Sequence, residues 1–179
     1  MIGVVAILIV LVVVLAAIVL ARSRVRFRRA PQPGSRRILV PFTGGTLDPT
    51  VLAAALRIAR AEDATLVPAY LLRVPLQYAE ESPLANEVEL ALPLLEAVEH
   101  AAHRAGVPVD ARIEKGRTPT HALRRLWEVE SFDRVLAPAP ARERGGFTLK
   151  DLTWILENAP TETLVLKPGP RNGDGPVPA

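Results

Sequence analysis

The sequence predicts an α/β fold: a five-stranded, mainly parallel sheet with helices on both faces, preceded by one transmembrane helix. Two patterns carry this reading. From residue 37 onward, short β-branched runs alternate with longer stretches of helical periodicity, the order that builds parallel sheets from βα units. Ahead of them, residues 1–21 contain no charged side chain, so the 49% apolar content of the 179-residue chain is concentrated at one end.

Residues 2–21 read IGVVAILIVLVVVLAAIVLA. At a helical rise of about 1.5 Å per residue this run reaches about 30 Å, the thickness of a bilayer's hydrocarbon core. A cleaved signal peptide would place basic residues before a shorter apolar stretch. Here nothing basic precedes the run, and Arg22, Arg24, Arg26, Arg28 and Arg29 follow it directly. The positive-inside bias then predicts a single-pass protein of the cell membrane with its C-terminal domain in the cytoplasm. The same arginines suit anionic lipid head groups. Residues 22–35 read as a basic juxtamembrane linker, because Pro31 and Pro33 oppose continuation of the helix.

The formal charge of +3 would raise nucleic-acid binding if it were spread over the chain. It is not spread. Residues 22–37 hold seven arginines and no acid, leaving residues 38–179 with 15 basic and 19 acidic groups, a net of −4. Nucleic acid is therefore not an expected partner. With no cysteine, disulfides, thiolate metal sites and thiol nucleophiles are excluded.

Each element has its own signal. Ile38 to Phe42 is a compact apolar run stopped by Thr43-Gly44-Gly45, a buried strand entering a glycine turn. Asp48-Pro49 supplies an N-cap and a proline at the first helical position, and Leu52, Ala55, Leu56 and Ala59 then share a face. Thr65 to Leu72 is the second strand, and its Pro68 favours an edge position or a bulge. After a mixed, acidic connection, a helix is expected from about Val88 to Ala105, with Leu94, Leu95, Val98 and Ala102 inward and Gly106 ending it. Val109, Ala111 and Ile113 alternate with charged residues as a third strand. Thr118-Pro119 opens a third helix, Arg134 to Ala137 forms a fourth strand, Leu149 to Asn158 a fourth helix and Thr163 to Leu166 a fifth strand. Residues 170–179 are rich in Pro and Gly and are expected to be disordered.

In open sheets of this type ligands sit beyond the C-terminal ends of the strands, where the strand order reverses. That rule points to Phe42–Thr46, Ala137–Gly146 and Gly116-Arg117 as the floor of a crevice.

Several of these segments together resemble the universal stress protein family. They are ILVPFTGG at the first strand, Gly116-Arg117-Thr118-Pro119 before the third helix, Asp133 to Ala137 in the fourth strand, and Ala159-Pro160 before Leu164-Val165-Leu166. The resemblance covers residues 36–169. It implies a five-stranded fold of the nucleotide-binding adenine hydrolase-like type, a homodimer formed through the last strand, and in many members binding of ATP or AMP. The nucleotide-binding members resemble ILVPVDGS in the first strand, and their aspartate falls here at Thr43. Their phosphate motif, G-x-x-G followed after nine residues by G-[ST], has its first glycines at Pro138 and Ala141 and its last pair near Leu149-Lys150. Glycine lets backbone N–H groups close on phosphate oxygens, whereas proline has no N–H and a fixed φ. The expectation is a domain with a regulatory or partner-binding role, an unidentified protein partner, no firm cofactor and no catalytic residues. The alternative is an ATP- or AMP-binding sensor that uses an altered loop of Thr43, Gly44, Gly45, Gly145 and Gly146.

Other constellations favour plain structural roles. Thr43 to Asp48 resembles a pyrophosphatase loop, but an extra residue before Asp48 and the proline after it suit an N-cap better. His100 and His103 lack a second pair of metal ligands, and His121 lacks the partners of a catalytic base. Glu80, Glu81, Glu87 and Glu89 read as a solvated acidic segment. Trp127 and Trp154 fall at core spacing on their helices.

Overall fold

The computed structural model describes residues 36–44, 47–80, 82, 84–140 and 146–167. The expected membrane segment 1–21, the linker 22–35 and the tail 170–179 lie outside the described residues. Among those described, no helix is long and apolar enough to cross a membrane.

The strands are β1 (Arg37–Phe42), β2 (Thr65–Arg73), β3 (Arg112–Gly116), β4 (Arg134–Pro138) and β5 (Glu162–Leu166). The helices are α1 (Pro49–Ala61), α2 (Ala85–Ala105), α3 (Pro119–Val129) and α4 (Leu149–Asn158). All strand pairs are parallel, in the order β3-β2-β1-β4-β5. The alternation along β1 divides the core. Leu39 joins Val67, Val135, Leu123, Leu126 and Ile155 beneath α3 and α4, while Ile38 and Val40 join Leu66, Leu136, Ala55, Val98 and Ala102 beneath α1 and α2. Both faces of β1 are thus buried, which explains its unbroken apolar run.

Pro68 is not at an edge. β2 lies between β1 and β3, and Pro68 pairs with Val40 without a break in register. Its missing donor instead shows on the other side. Leu66 bonds toward the third strand through both its N–H and its C=O, so Pro68, two residues on, has its absent N–H on that same side. The ladder accordingly consists of an isolated bridge at Leu66–Val109, a gap, and β3 proper from Arg112. The expected strand from Val109 is split by a proline in its neighbour.

α2 begins at Ala85, before the expected Val88. Its N-cap, Leu84, makes no side-chain cap bond and has φ 41°. Leu84 is held by burial against Leu72 and Val74, so the helix start is set by packing and carries no polar signal in the sequence. The other three starts are polar. Asp48 accepts from the Thr50 amide at 2.8 Å, Thr118 accepts from the His121 amide at 3.1 Å, and Thr148 forms a capping box with Asp151.

Charge closes the N-terminal end of the sheet. Asp110, 8% exposed, accepts from Arg37 at 3.2 Å and from Arg112 at 2.9 Å, and Glu130 after α3 pairs with both arginines. Arg37 also lies 4.9 Å from the centre of the Phe132 ring. At the same end Arg134 is clasped by Glu62 and Glu162, and the bond to Glu162 is the main reason its guanidinium pKa is raised.

Candidate functional site

The strand order reverses at β1. The chain moves from β1 to β2 and β3 on one side and returns to β4 on the other, so the C-terminal ends of β1 and β4 flank the switch point. Local chemistry separates them there. Arg37 directs its carbonyl to Asp133 of the β4 side at 2.9 Å, so alternate residues of β1 face β4 and Pro41 presents no N–H where the ladder would continue. Pairing between β1 and β4 is registered only at Ile38–Arg134 and Leu39–Val135.

On the β1 side of this opening stand half-buried Thr43 and Gly44, with Gly44 at φ 85°, a turn that glycine makes without strain. Phe42 meets Tyr70 edge-on with ring centroids 5.4 Å apart, and burial pushes the Tyr70 phenol above its ordinary pKa. Gly45, Ala141 and Gly145 lie outside the described residues. Gly146 is half-buried and precedes Phe147, whose ring is buried in the core beneath α3 and α4.

On the β4 side, the described residues that leave the strand, 138–140, offer no free backbone donor. Pro138 and Pro140 have no N–H, and the N–H of Ala139 between them is donated to the Leu166 carbonyl of β5 at 2.8 Å. The start of α4 is also taken. Asp151 accepts from the Thr148 backbone N–H at 3.0 Å and from its hydroxyl at 2.7 Å, while the Thr148 hydroxyl receives the Asp151 N–H at 3.2 Å. A carboxylate of the chain itself therefore caps the Thr148 N–H and adds negative charge at this helix start.

The contacts beside α3 carry no local sequence signal. Gly116 is required by close approach: a Cβ there would lie 2.6 Å from the backbone nitrogen of Ala122. Next to it, Arg117 donates to the Pro75 carbonyl at 2.6 Å, Lys115 donates to the Ser82 carbonyl at 2.7 Å, and His121 Nδ1 lies 2.9 Å from Glu80 Oε1. The Arg117 backbone N–H donates to the same Nδ1 at 3.4 Å, so the contact with Glu80 is one of charge and proximity, and Glu80 Oε1 is buried without a hydrogen-bond partner. Glu80 is thus anchored, contrary to its expected place in a solvated segment. These partners are too far apart in sequence for any local pattern to reveal them.

His100 and His103 are exposed on α2, and among the described residues no group of three or more His, Cys, Asp or Glu is placed to hold a metal. Trp127 and Trp154 are half-buried and stack on each other.

An open, parallel, five-stranded α/β sheet with its crevice at the β1/β4 switch defines the structural class. Within that class, the family model described as the universal stress protein family matches residues 34–149, and the chain belongs to that family. No curated protein matches the sequence significantly. Among solved structures, a universal stress protein family protein from Burkholderia pseudomallei is similar at 22% identity and a TM-score of 0.54, over 76% of this chain and 98% of that one. A universal stress protein from Archaeoglobus fulgidus is similar at 14% identity and a TM-score of 0.53, over 73% and 92% of the two chains. An Arabidopsis thaliana family member, solved with AMP bound, is similar at 14% identity and a TM-score of 0.52, over 75% and 92%. At these identities the likeness supports the fold.

Proposed function

We propose that this protein is a membrane-tethered, cytoplasmic universal stress protein domain that works by binding a protein partner and lacks the standard ATP site of its family. The observation that carries the second half is the exit of β4, where two prolines flank an amide already bonded to Leu166. Among the described residues 138–140, a phosphate group meets no free backbone donor, and the Asp151 carboxylate at α4 opposes its charge. The tether rests on the uncharged run of residues 2–21 and the arginines after it. A homodimer is supported by β5, an edge strand with Val165 41% exposed and Leu164 and Leu166 half-buried, which leaves its outer backbone groups open to pairing. The test is calorimetric titration of the full chain in detergent with ATP and AMP. Absence of heat at micromolar protein and ligand supports the reading, and a saturable micromolar isotherm refutes it.

A second reading keeps the nucleotide. Gly44 is already in a left-handed turn at the switch point, and the Arabidopsis relative holds AMP. In that reading Thr43, Gly44, Gly45, Gly145 and Gly146 contact the ligand, so Thr43→Asp and Gly146→Ala change its affinity in opposite directions. If neither substitution has an effect, this reading is excluded.

A further inference from the structure

Both tryptophans of the chain line one open groove of about 230 Å³ between α3 and α4, together with Arg124, Glu128, Asn158 and Pro160. The indole planes are 7° apart with centroids at 5.5 Å, and the Arg124 guanidinium lies 5.6 Å from the centre of the Trp154 ring. Asn158 donates its amide to the Trp154 carbonyl at 2.9 Å, which pins that end of α4. Two groups are left over. The Trp127 Nε1 donor is buried without an acceptor, and Glu128 has no cation at ion-pairing distance among the described residues. Arg124, one turn earlier on the same face, is directed to the Trp154 ring instead.

We propose that this groove docks a proline-rich segment of a partner protein that carries an arginine or lysine beside its prolines. The stacked indole pair and the Pro160 ring that line the groove suit pyrrolidine rings, and an extended polyproline segment enters such a slot with little loss of conformational freedom. Its carbonyls are unbonded within the segment, and one reached by a small shift of the Trp127 ring satisfies the orphaned N–H. Glu128 supplies the complementary charge for the basic residue. The proposal deepens the partner-binding reading by naming the partner's chemistry, and it is independent of the nucleotide titration: ATP binding would overturn the reading above without touching this groove.

Because the chain has no tryptophan elsewhere, its intrinsic fluorescence reports on the groove directly. The full chain in detergent is titrated with a synthetic peptide of repeated Pro-Pro-Arg triplets, and in parallel with one of Pro-Pro-Glu triplets. The expected result is a saturable change in tryptophan emission with the arginine peptide, an affinity about tenfold lower in Glu128→Lys, and the reverse preference for the glutamate peptide in that variant. Glu128 is exposed, so this variant keeps the fold. No saturable change, or equal affinity of wild type and Glu128→Lys, overturns the proposal. So does a response that appears only when Pro31 and Pro33 are both replaced by alanine, since the occupant would then be the chain's own linker.

Discussion

The backbone N–H of Ala139 donates to the carbonyl of Leu166 at 2.8 Å, and the residues on either side of Ala139 are prolines. This one bond joins the exit of β4 to the edge strand β5 and commits the one backbone N–H of residues 138–140. Pro41 presents no N–H where the β1–β4 ladder would continue, and Pro138 and Pro140 present none at the exit of β4, so prolines border the switch point on both sides.

Gly116→Ala is expected to destabilise the domain by about 2 kcal/mol, the usual scale for overpacking. The added methyl would meet the backbone nitrogen of Ala122, which cannot move without displacing the first turn of α3. Urea unfolding measures this directly. A loss below about 0.5 kcal/mol, the size of a neutral surface change, would show that α3 is free to shift.

Thr148→Ala removes the hydroxyl's bonds to the Asp151 N–H and carboxylate, leaves the backbone half of the capping box at α4, and is expected to cost about 1 kcal/mol, with Thr148→Ser restoring most of it. Thermal unfolding of the three proteins compares them. Equal midpoints would mean that α4 is held by Leu152 and Ile155 alone.

Glu114 gives a dependence on pH. Burial, reinforced by the charge of Glu130 and opposed by Arg112 and Arg125, raises its carboxyl above the ordinary 4.5. The folded protein therefore holds this proton more tightly than the unfolded chain. The stabilisation is full below that ordinary value and is lost as pH rises through the raised one. Glu114→Gln, which mimics the protonated form, should raise the melting temperature near neutral pH and leave it unchanged in acid. An equal change at both pH values would contradict this.

Much of the fold was legible because its signals are local. Asp48-Pro49, Thr118-Pro119 and the apolar run of β1 each act within a few residues, and each element appeared where expected. The start of α2 was missed because Leu84 is fixed by side chains of β2, and the split in the third strand was missed because its cause, Pro68, lies in a different strand. At the crevice, the prolines were visible as missing donors, but the commitment of Ala139 to Leu166 depends on strand order. The anchoring of Glu80 by His121 is also a tertiary fact.

The proposed tether predicts a sidedness. Protease added outside intact cells should leave the domain uncut, and permeabilised cells should lose it. Cleavage from outside would reverse the orientation drawn from the arginines.

The most direct measurement is the NMR signal of the Ala139 amide in the isotopically labelled full chain, followed during titration with ATP. This amide is expected to exchange slowly and not to move up to millimolar ATP, because its hydrogen is held by Leu166. A saturable shift at micromolar ATP, with faster exchange in the free protein, would show that this donor is available to phosphate and that the family's nucleotide site survives here.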